Sequence, residues 1–248
     1  MIVDAIRKIA YAVTPPFLVR KHIHARLLRK GRELVAADQQ SGGIEDSLGL
    51  IWSSHDFKPI QILSEIRTLL DRVRELTPAT IVEIGSAGGG TTFLFSRAAG
   101  PGTRIISVDL GFSDARMEAI EGFALPGQTI RCVRADSQCQ ETAERVRELL
   151  SGDDIDLLFI DGDHSYDGVS ADFHFYSPLV ASGGFIAFHD IVPDFHQRFG
   201  RNTVVDTGEV PRFWSELKSK LQDAVEEIIE HPDQDGYGLG IVKWAGRD

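Results

Sequence analysis

From residue 80 onward, short apolar runs alternate with longer stretches in which apolar residues recur every three to four positions. The runs are TIVEIG at 80–85, RIISVDL at 104–110, TIRCVRA at 129–135, IDLLFID at 155–161 and GGFIAFHD at 183–190. Near-continuous apolar runs belong to strands of a parallel sheet covered on both faces, and the helical periodicity between them predicts crossover helices near 91–99, 114–123, 138–150 and 166–179. The pattern is that of a doubly wound α/β sheet. Upstream, Ile62, Ile66, Leu69, Leu70 and Val73 mark a helix leading into the first strand. Downstream, about twenty aperiodic residues follow Asp190, then a helix over PRFWSELKSKLQ. AVEEIIEH and YGLGIVKW flank the turn-forming PDQDG and predict a terminal hairpin, which forces an antiparallel strand into the sheet.

The first 57 residues read differently, as a basic helical extension ahead of an α/β domain spanning 58–248. Ile2, Ile6, Ile9 and Val13 form one stripe, Pro15-Pro16 breaks that helix, and a second basic helix is expected over 17–37 before a linker at 39–43. Residues 1–34 hold eight Lys or Arg against Asp4 and Glu33, a surplus of six, so the remainder carries −17 in a chain whose net charge is −11. An acidic whole argues against nucleic-acid binding. The basic arm suits packing on an acidic body, its own or a second subunit's, so a homo-oligomer is expected; contact with an anionic membrane surface is the less favoured use. No run of about 18 uncharged apolar residues occurs and charges interrupt the N-terminal stripe, so neither a transmembrane helix nor a signal peptide is read. With Cys132 and Cys139 as its two cysteines, the chain shows no disulfide framework, and a reducing cytoplasm is the expectation.

Candidate chemistry gathers at the predicted strand ends, where α/β sheets bind ligands. The run DLLFI delivers Asp161, Asp163 and His164 into one loop, and GGFIAF delivers His189 and Asp190 into the next. Carboxylates beside an imidazole can hold a cation and remove a proton. The first strand ends in Glu83-Ile-Gly85-Ser86-Ala-Gly88-Gly89-Gly90, a glycine-rich turn opening onto a helix. The dinucleotide fingerprint GxGxxG fails, with Ala87 or Phe93 in a glycine position, so NAD-dependent oxidoreduction is disfavoured. Twenty residues past Gly89, Asp109 ends the second strand, where a carboxylate can accept both hydroxyls of a ribose. Asp136, Ser137 and Gln138 close the third, positioned either to meet an adenine amine or to cap a helix.

These residues resemble a class I S-adenosylmethionine (SAM)-dependent methyltransferase: ExGxxxG at Glu83, Gly85 and Gly89, the ribose acid Asp109, and the closing hairpin. More narrowly, IDGDHSYDGVSADF with PLVASGGFIAFHD resembles the small-molecule O-methyltransferase group that includes macrolide-sugar methyltransferases and the cephalosporin hydroxylase family. The resemblance implies a seven-stranded Rossmann-like sheet with an antiparallel last strand, and SAM held by Gln61, Glu83, Gly85, Ser86, Gly89, Asp109, Asp136, Ser137 and Asp161. It further implies Asp161 as a metal ligand, His164 as general base, and two acidic ligands at positions occupied here by His189 and Asp190. An imidazole in that set weakens the case for Mg²⁺ and leaves Mn²⁺, Fe²⁺, Zn²⁺ or no metal open. The expected reaction is methylation of a hydroxyl on a sugar or glycosylated small molecule. A non-catalytic SAM-binding scaffold is the alternative. Trp52, His55 and Phe57 are candidates for the acceptor pocket or the core, His174 for a packed helix face, and His196, Arg198 and Arg201 for a substrate-reading lid.

Overall fold

A computed structural model describes residues 16–40 and 42–246; the stripe of Ile2, Ile6, Ile9 and Val13 lies outside them. Seven strands form one sheet in the order β3-β2-β1-β4-β5-β7-β6. They are β1 (Thr80–Ile84), β2 (Arg104–Val108), β3 (Thr129–Val133), β4 (Ile155–Ile160), β5 (Val180–His189), β6 (Val225–Ile228) and β7 (Leu239–Lys243). Strands β3, β2, β1, β4 and β5 pair in parallel, and β7 runs antiparallel to both β5 and β6. The mostly parallel sheet and the hairpin read from the sequence are both present.

The helices are α1 (Pro16–Asp38), α2 (Ile44–Trp52), α3 (Leu63–Leu76), α4 (Gly90–Ala98), α5 (Asp114–Glu121), α6 (Gln140–Leu150), α7 (Tyr166–Tyr176), α8 (Phe195–Phe199) and α9 (Val210–Leu221). Side chains alternate across the strands, so each strand feeds two cores. Ile81, Ile105, Leu157 and Phe159 pack with α1 to α5 on one face; Val82, Ile106, Leu158 and Phe188 pack with α6, α7 and α9 on the other. Each fully buried aliphatic or aromatic side chain contributes about 1.5–3 kcal/mol relative to exposure. This two-sided burial is why the strands read as unbroken apolar runs.

Polar groups fix how the helices meet the sheet. Asp38 at the end of α1 is buried; it pairs with Arg97 Nε of α4 at 2.6 Å and accepts the Ser47 hydroxyl of α2 at 2.5 Å. On α3, the buried Glu65 carboxylate accepts the N–H groups of Glu230 and Gly238, both at 3.0 Å, and the Gln234 amide at 2.7 Å. That one carboxylate holds the β6–β7 turn over the C-terminal ends of the parallel strands. The aperiodic segment after β5 is also pinned: Asp194 caps α8, Phe195 N donates to Asp235 at 2.6 Å, and Glu209 N donates to the His164 carbonyl at 2.7 Å. Among the described residues, no helix is long and apolar enough to cross a membrane.

Candidate active site

Strand order reverses between β1 and β4, and the carboxyl ends there open a crevice. Two cavities occupy it and meet at Gly85, Ala87 and Asp161, which line both. One, of about 300 Å³, lies over β4 and β5 and is lined by Gln61, Ser86, His164, His189, Asp190 and Tyr237 among others. The second, of about 520 Å³, lies over β2 and β3 and is lined by Asp109, Asp136, Ser137, Gln138 and Asp163.

In the first cavity, four residues named from the sequence converge. His164 Nδ1 lies 2.6 Å from the Asp206 carbonyl. A carbonyl only accepts, so Nδ1 carries the proton and Nε2 is the free nitrogen. Nε2 faces Asp190 Oδ2 at 3.3 Å and Asp161 Oδ1 at 3.9 Å. A lone pair facing two carboxylates is unfavourable until a proton or a metal ion comes between them. His189 departs from its expected role as a ligand. Its buried ring points Nδ1 at Asp161 Oδ1 (3.1 Å) and Asp190 Oδ2 (3.2 Å), so it binds the carboxylates from behind. The ligand atoms that gather within 4.8 Å of one another belong to Asp161, His164 and Asp190. Burial by itself would lower the His189 pKa, but the two carboxylates outweigh it and raise it well above the ordinary histidine value. Asp190 takes a left-handed backbone, φ 61°, as does Tyr237 at φ 60°, a conformation uncommon outside glycine and found at functional sites. Gln61 Nε2 sits 3.5 Å from Asp161 Oδ2.

Residues of the glycine-rich turn divide. Gly85 has φ 83°, and a Cβ there would run into the Asp161 carbonyl, so it lets the ends of β1 and β4 close together. Gly89 lines neither cavity; a Cβ on it would meet Ile120 of α5, so its smallness serves helix packing rather than the close ligand approach read from the sequence. Glu83 is likewise enclosed, with no face on either cavity. Its Oε2 accepts Ser86 Oγ at 2.8 Å and the Thr92 hydroxyl, and Ser107 joins the cluster. Burial pushes its pKa up to about 7, which these hydroxyls partly oppose. Glu83 therefore braces the turn from beneath.

In the second cavity, the Asp109 carboxylate accepts Ala87 N at 2.7 Å and Gly111 N at 2.6 Å. Asp136 accepts Gln138 N at 2.9 Å, and Gln138 Nε2 reaches Asp163 at 2.9 Å. Acceptors dominate this end, which suits a ligand rich in hydroxyl and amine donors.

The aromatic candidates fall outside both cavities. Phe57 is buried edge-on against Phe123, and Trp52 and His55 line neither cavity. His174 is exposed on α7. Arg198 holds the lid to the hairpin turn through the Gln234 carbonyl at 3.1 Å, and the lid contributes Val204, Val205 and Asp206 to the site instead of His196, Arg198 or Arg201. Tyr237, Asp206 and Lys58 are site-lining residues that sequence reasoning missed. Asp206 sits in the aperiodic segment after β5, and Tyr237 just before β7 in the turn that follows β6.

Residues 82–191 match the family model described as "Methyltransferase domain". That stretch, from β1 to the end of β5, is similar to methyltransferase domains. An uncharacterized protein of Sinorhizobium fredii is 28% identical to this chain over 185 residues, which cover 70% of this chain and 18% of that protein. The chain thus spans less than a fifth of that relative, and 51% of a second, from Acanthamoeba polyphaga mimivirus. Among solved structures, an O-methyltransferase from Bacillus cereus in complex with S-adenosylhomocysteine (SAH) superposes with TM-score 0.53 at 19% identity, covering 81% of this chain and 90% of that one. MycE from the mycinamycin biosynthetic pathway, in complex with Mg, SAH and mycinamycin VI, superposes with TM-score 0.50 at 19% identity, covering 73% and 49%. At these identities the structures establish the shared fold.

Proposed function

We propose that this protein is a SAM-dependent methyltransferase that moves the methyl group of SAM to a hydroxyl of a sugar or glycosylated small molecule, with His164 Nε2 accepting the hydroxyl proton. The observation that carries this reading is the Asp206 carbonyl on His164 Nδ1, which fixes the tautomer and turns the basic nitrogen into the cavity. Adenosine would lie over Asp109, Asp136 and Ser137, and the sulfonium would reach the first cavity past Gly85, Ser86 and Asp161. A sugar hydroxyl is too weak an acid to attack unaided, so proton removal must accompany attack. As the proton arrives, Asp190 at 3.3 Å and the Asp206 carbonyl stabilise the imidazolium. The two carboxylate side chains that face the cavity also fit a divalent cation, with the His164 imidazole beside them left free as the base. Asp161 and Asp190 would hold it, and when bound it would supply Lewis-acid stabilisation of the developing alkoxide. The sugar acceptor is supported by the resemblance to macrolide-sugar methyltransferases and by the mycinamycin VI in the MycE structure. The exposed basic residues of α1, among them Lys21, Arg29 and Arg32, support self-association against the acidic body.

A second reading is favoured by the closeness of the three ligand atoms: His164 Nε2 as a third metal ligand. One nitrogen cannot both ligate and accept the proton. His164→Ala separates the two. The proposal expects Mn²⁺ affinity within a few-fold of the parent while methyl transfer to a glycoside panel falls about 10²–10⁴-fold. Parallel loss of Mn²⁺ binding would make His164 a ligand, and normal SAH binding with no transfer to any hydroxyl would leave a scaffold.

A further inference from the structure

The Asp206 carbonyl sets the tautomer of His164, and a backbone carbonyl points where its chain is held. Asp206 lies in the stretch 200–209 between α8 and α9, which forms neither helix nor strand. Its position therefore depends on what ties down the residues on either side of it. On one side, Val205 N donates to Thr203 Oγ1 at 3.0 Å, and Thr203 Oγ1 donates to Asp235 Oδ2 at 2.6 Å. On the other, the fully buried Thr207 gives its N–H and its hydroxyl to Asp194 Oδ2, both at 3.3 Å. The residue after Asp194 is Phe195, whose N–H donates to Asp235 Oδ1 at 2.6 Å. The two oxygens of one carboxylate thus reach both arms of the lid, through hydrogen bonds of the stronger, charge-assisted kind. The neighbouring backbone is pressed onto the same two arms. Gly236 has φ 72°, and a Cβ on it would come within 2.5 Å of Val205 Cγ1 and 2.8 Å of Thr207 Cγ2. Asp235 itself lines neither cavity.

We infer that Asp235 is a positioning residue: from the β6–β7 turn it holds the lid so that the Asp206 carbonyl meets His164 Nδ1. The inference rests on His164 as the base and adds what keeps that base in its working form. The tautomer is contested, because Asp190 and Asp161 lie 3.3 and 3.9 Å from Nε2 and favour a proton on that nitrogen. Only an acceptor held against Nδ1 keeps the proton there and leaves Nε2 empty for the substrate's. Without the Asp235 carboxylate, Thr203 and Phe195 turn to water, both arms loosen, and the carbonyl leaves the ring.

The test is proton–nitrogen NMR of the full chain carrying isotopically labelled histidine, with SAH bound. The parent is expected to show a His164 Nδ1–H signal protected from exchange with water, assigned by its absence in His164→Gln. In Asp235→Ala that signal should vanish and methyl transfer to a glycoside panel fall about 10- to 100-fold, while SAH affinity stays within about threefold. Asp235→Asn, whose amide can accept from Phe195 N and donate to Thr203 Oγ1, should keep the signal and most of the turnover. Should Asp235→Ala fail to fold, Thr203→Val gives up one arm at nearly the same shape and is expected to weaken the signal and turnover together. A signal that survives in whichever variant folds, or a loss of SAH affinity that matches the loss of turnover, overturns the role of Asp235 alone. A parent in which His164 carries no proton on Nδ1 overturns the base reading and this one together.

Discussion

At the β1–β3 end of the crevice, each polar group is fixed by a neighbour within a short stretch of chain or on the adjoining strand: Asp109 by Ala87 and Gly111, Asp136 by Gln138. At the β4–β5 end, the groups come from segments far apart. Asp161 and His164 follow β4, His189 and Asp190 close β5, Asp206 comes from the lid and Tyr237 from the hairpin turn. The first end is a binding surface whose parts are independent, and the second a coupled cluster in which each group sets the charge or tautomer of the next. Losing one member should therefore cost chemistry at the second end and affinity at the first.

The largest expected effect breaks the coupled end. Asp161→Asn removes one of the two carboxylates that hold His189 and leaves the other to share it. Turnover should fall about 10²–10³-fold, about 3–4 kcal/mol of barrier, while the SAH dissociation constant stays within about threefold. Matching losses in turnover and SAH affinity would show that the two ends are one unit.

A smaller effect sharpens the contrast at the other end. Asp109→Ala removes the carboxylate facing the second cavity. Hydrogen bonds to a charged group contribute about 1.5–3 kcal/mol, so SAH affinity should drop roughly 10–100-fold with turnover at saturating SAM near the parent value. A large fall in saturated turnover would place Asp109 in the reacting geometry.

The same division explains what could be read from sequence. Strand order, helices and hairpin follow from apolar spacing, because burial on both faces of the sheet leaves a local trace in every strand. Asp109 and Asp161 were legible because each ends an apolar run. The surroundings of the two histidines were not: the tautomer of His164 depends on the Asp206 carbonyl, 42 residues away, and the placement of His189 behind the carboxylates depends on which way a strand's last side chain turns. Glu83 and Gly89 carry the motif, yet they face the interior, since a motif records what the turn needs as well as what the ligand needs. Lys58 and Tyr237 lie in turns whose positions are set by Gly90 and Glu65 through tertiary contacts.

The smallest expected effect concerns the floor between the two ends. Asp172 of α7 is fully buried, neither carboxylate oxygen has a hydrogen-bond partner, and Oδ2 is 3.1 Å from where a Cβ on Gly162 would lie. Glu83 is as deeply buried, yet three hydroxyls surround it. Burial, opposed in part by the nearby Ser137 side chain and reinforced by Asp136 and Asp163, pushes the Asp172 pKa up to about 7 from 3.8. A folded-state pKa above the unfolded one means that the native protein holds the proton more tightly, so its stabilising effect is complete below about pH 4 and is lost as pH rises toward 7. Asp172→Asn removes that dependence. Relative to the variant, the parent should lose stability steadily between pH 4.5 and 7.5, read as the difference in urea midpoints across that range. A difference that stays flat with pH, or that grows in the parent's favour, would mean that Asp172 ionises freely and that something donates to it in the folded protein.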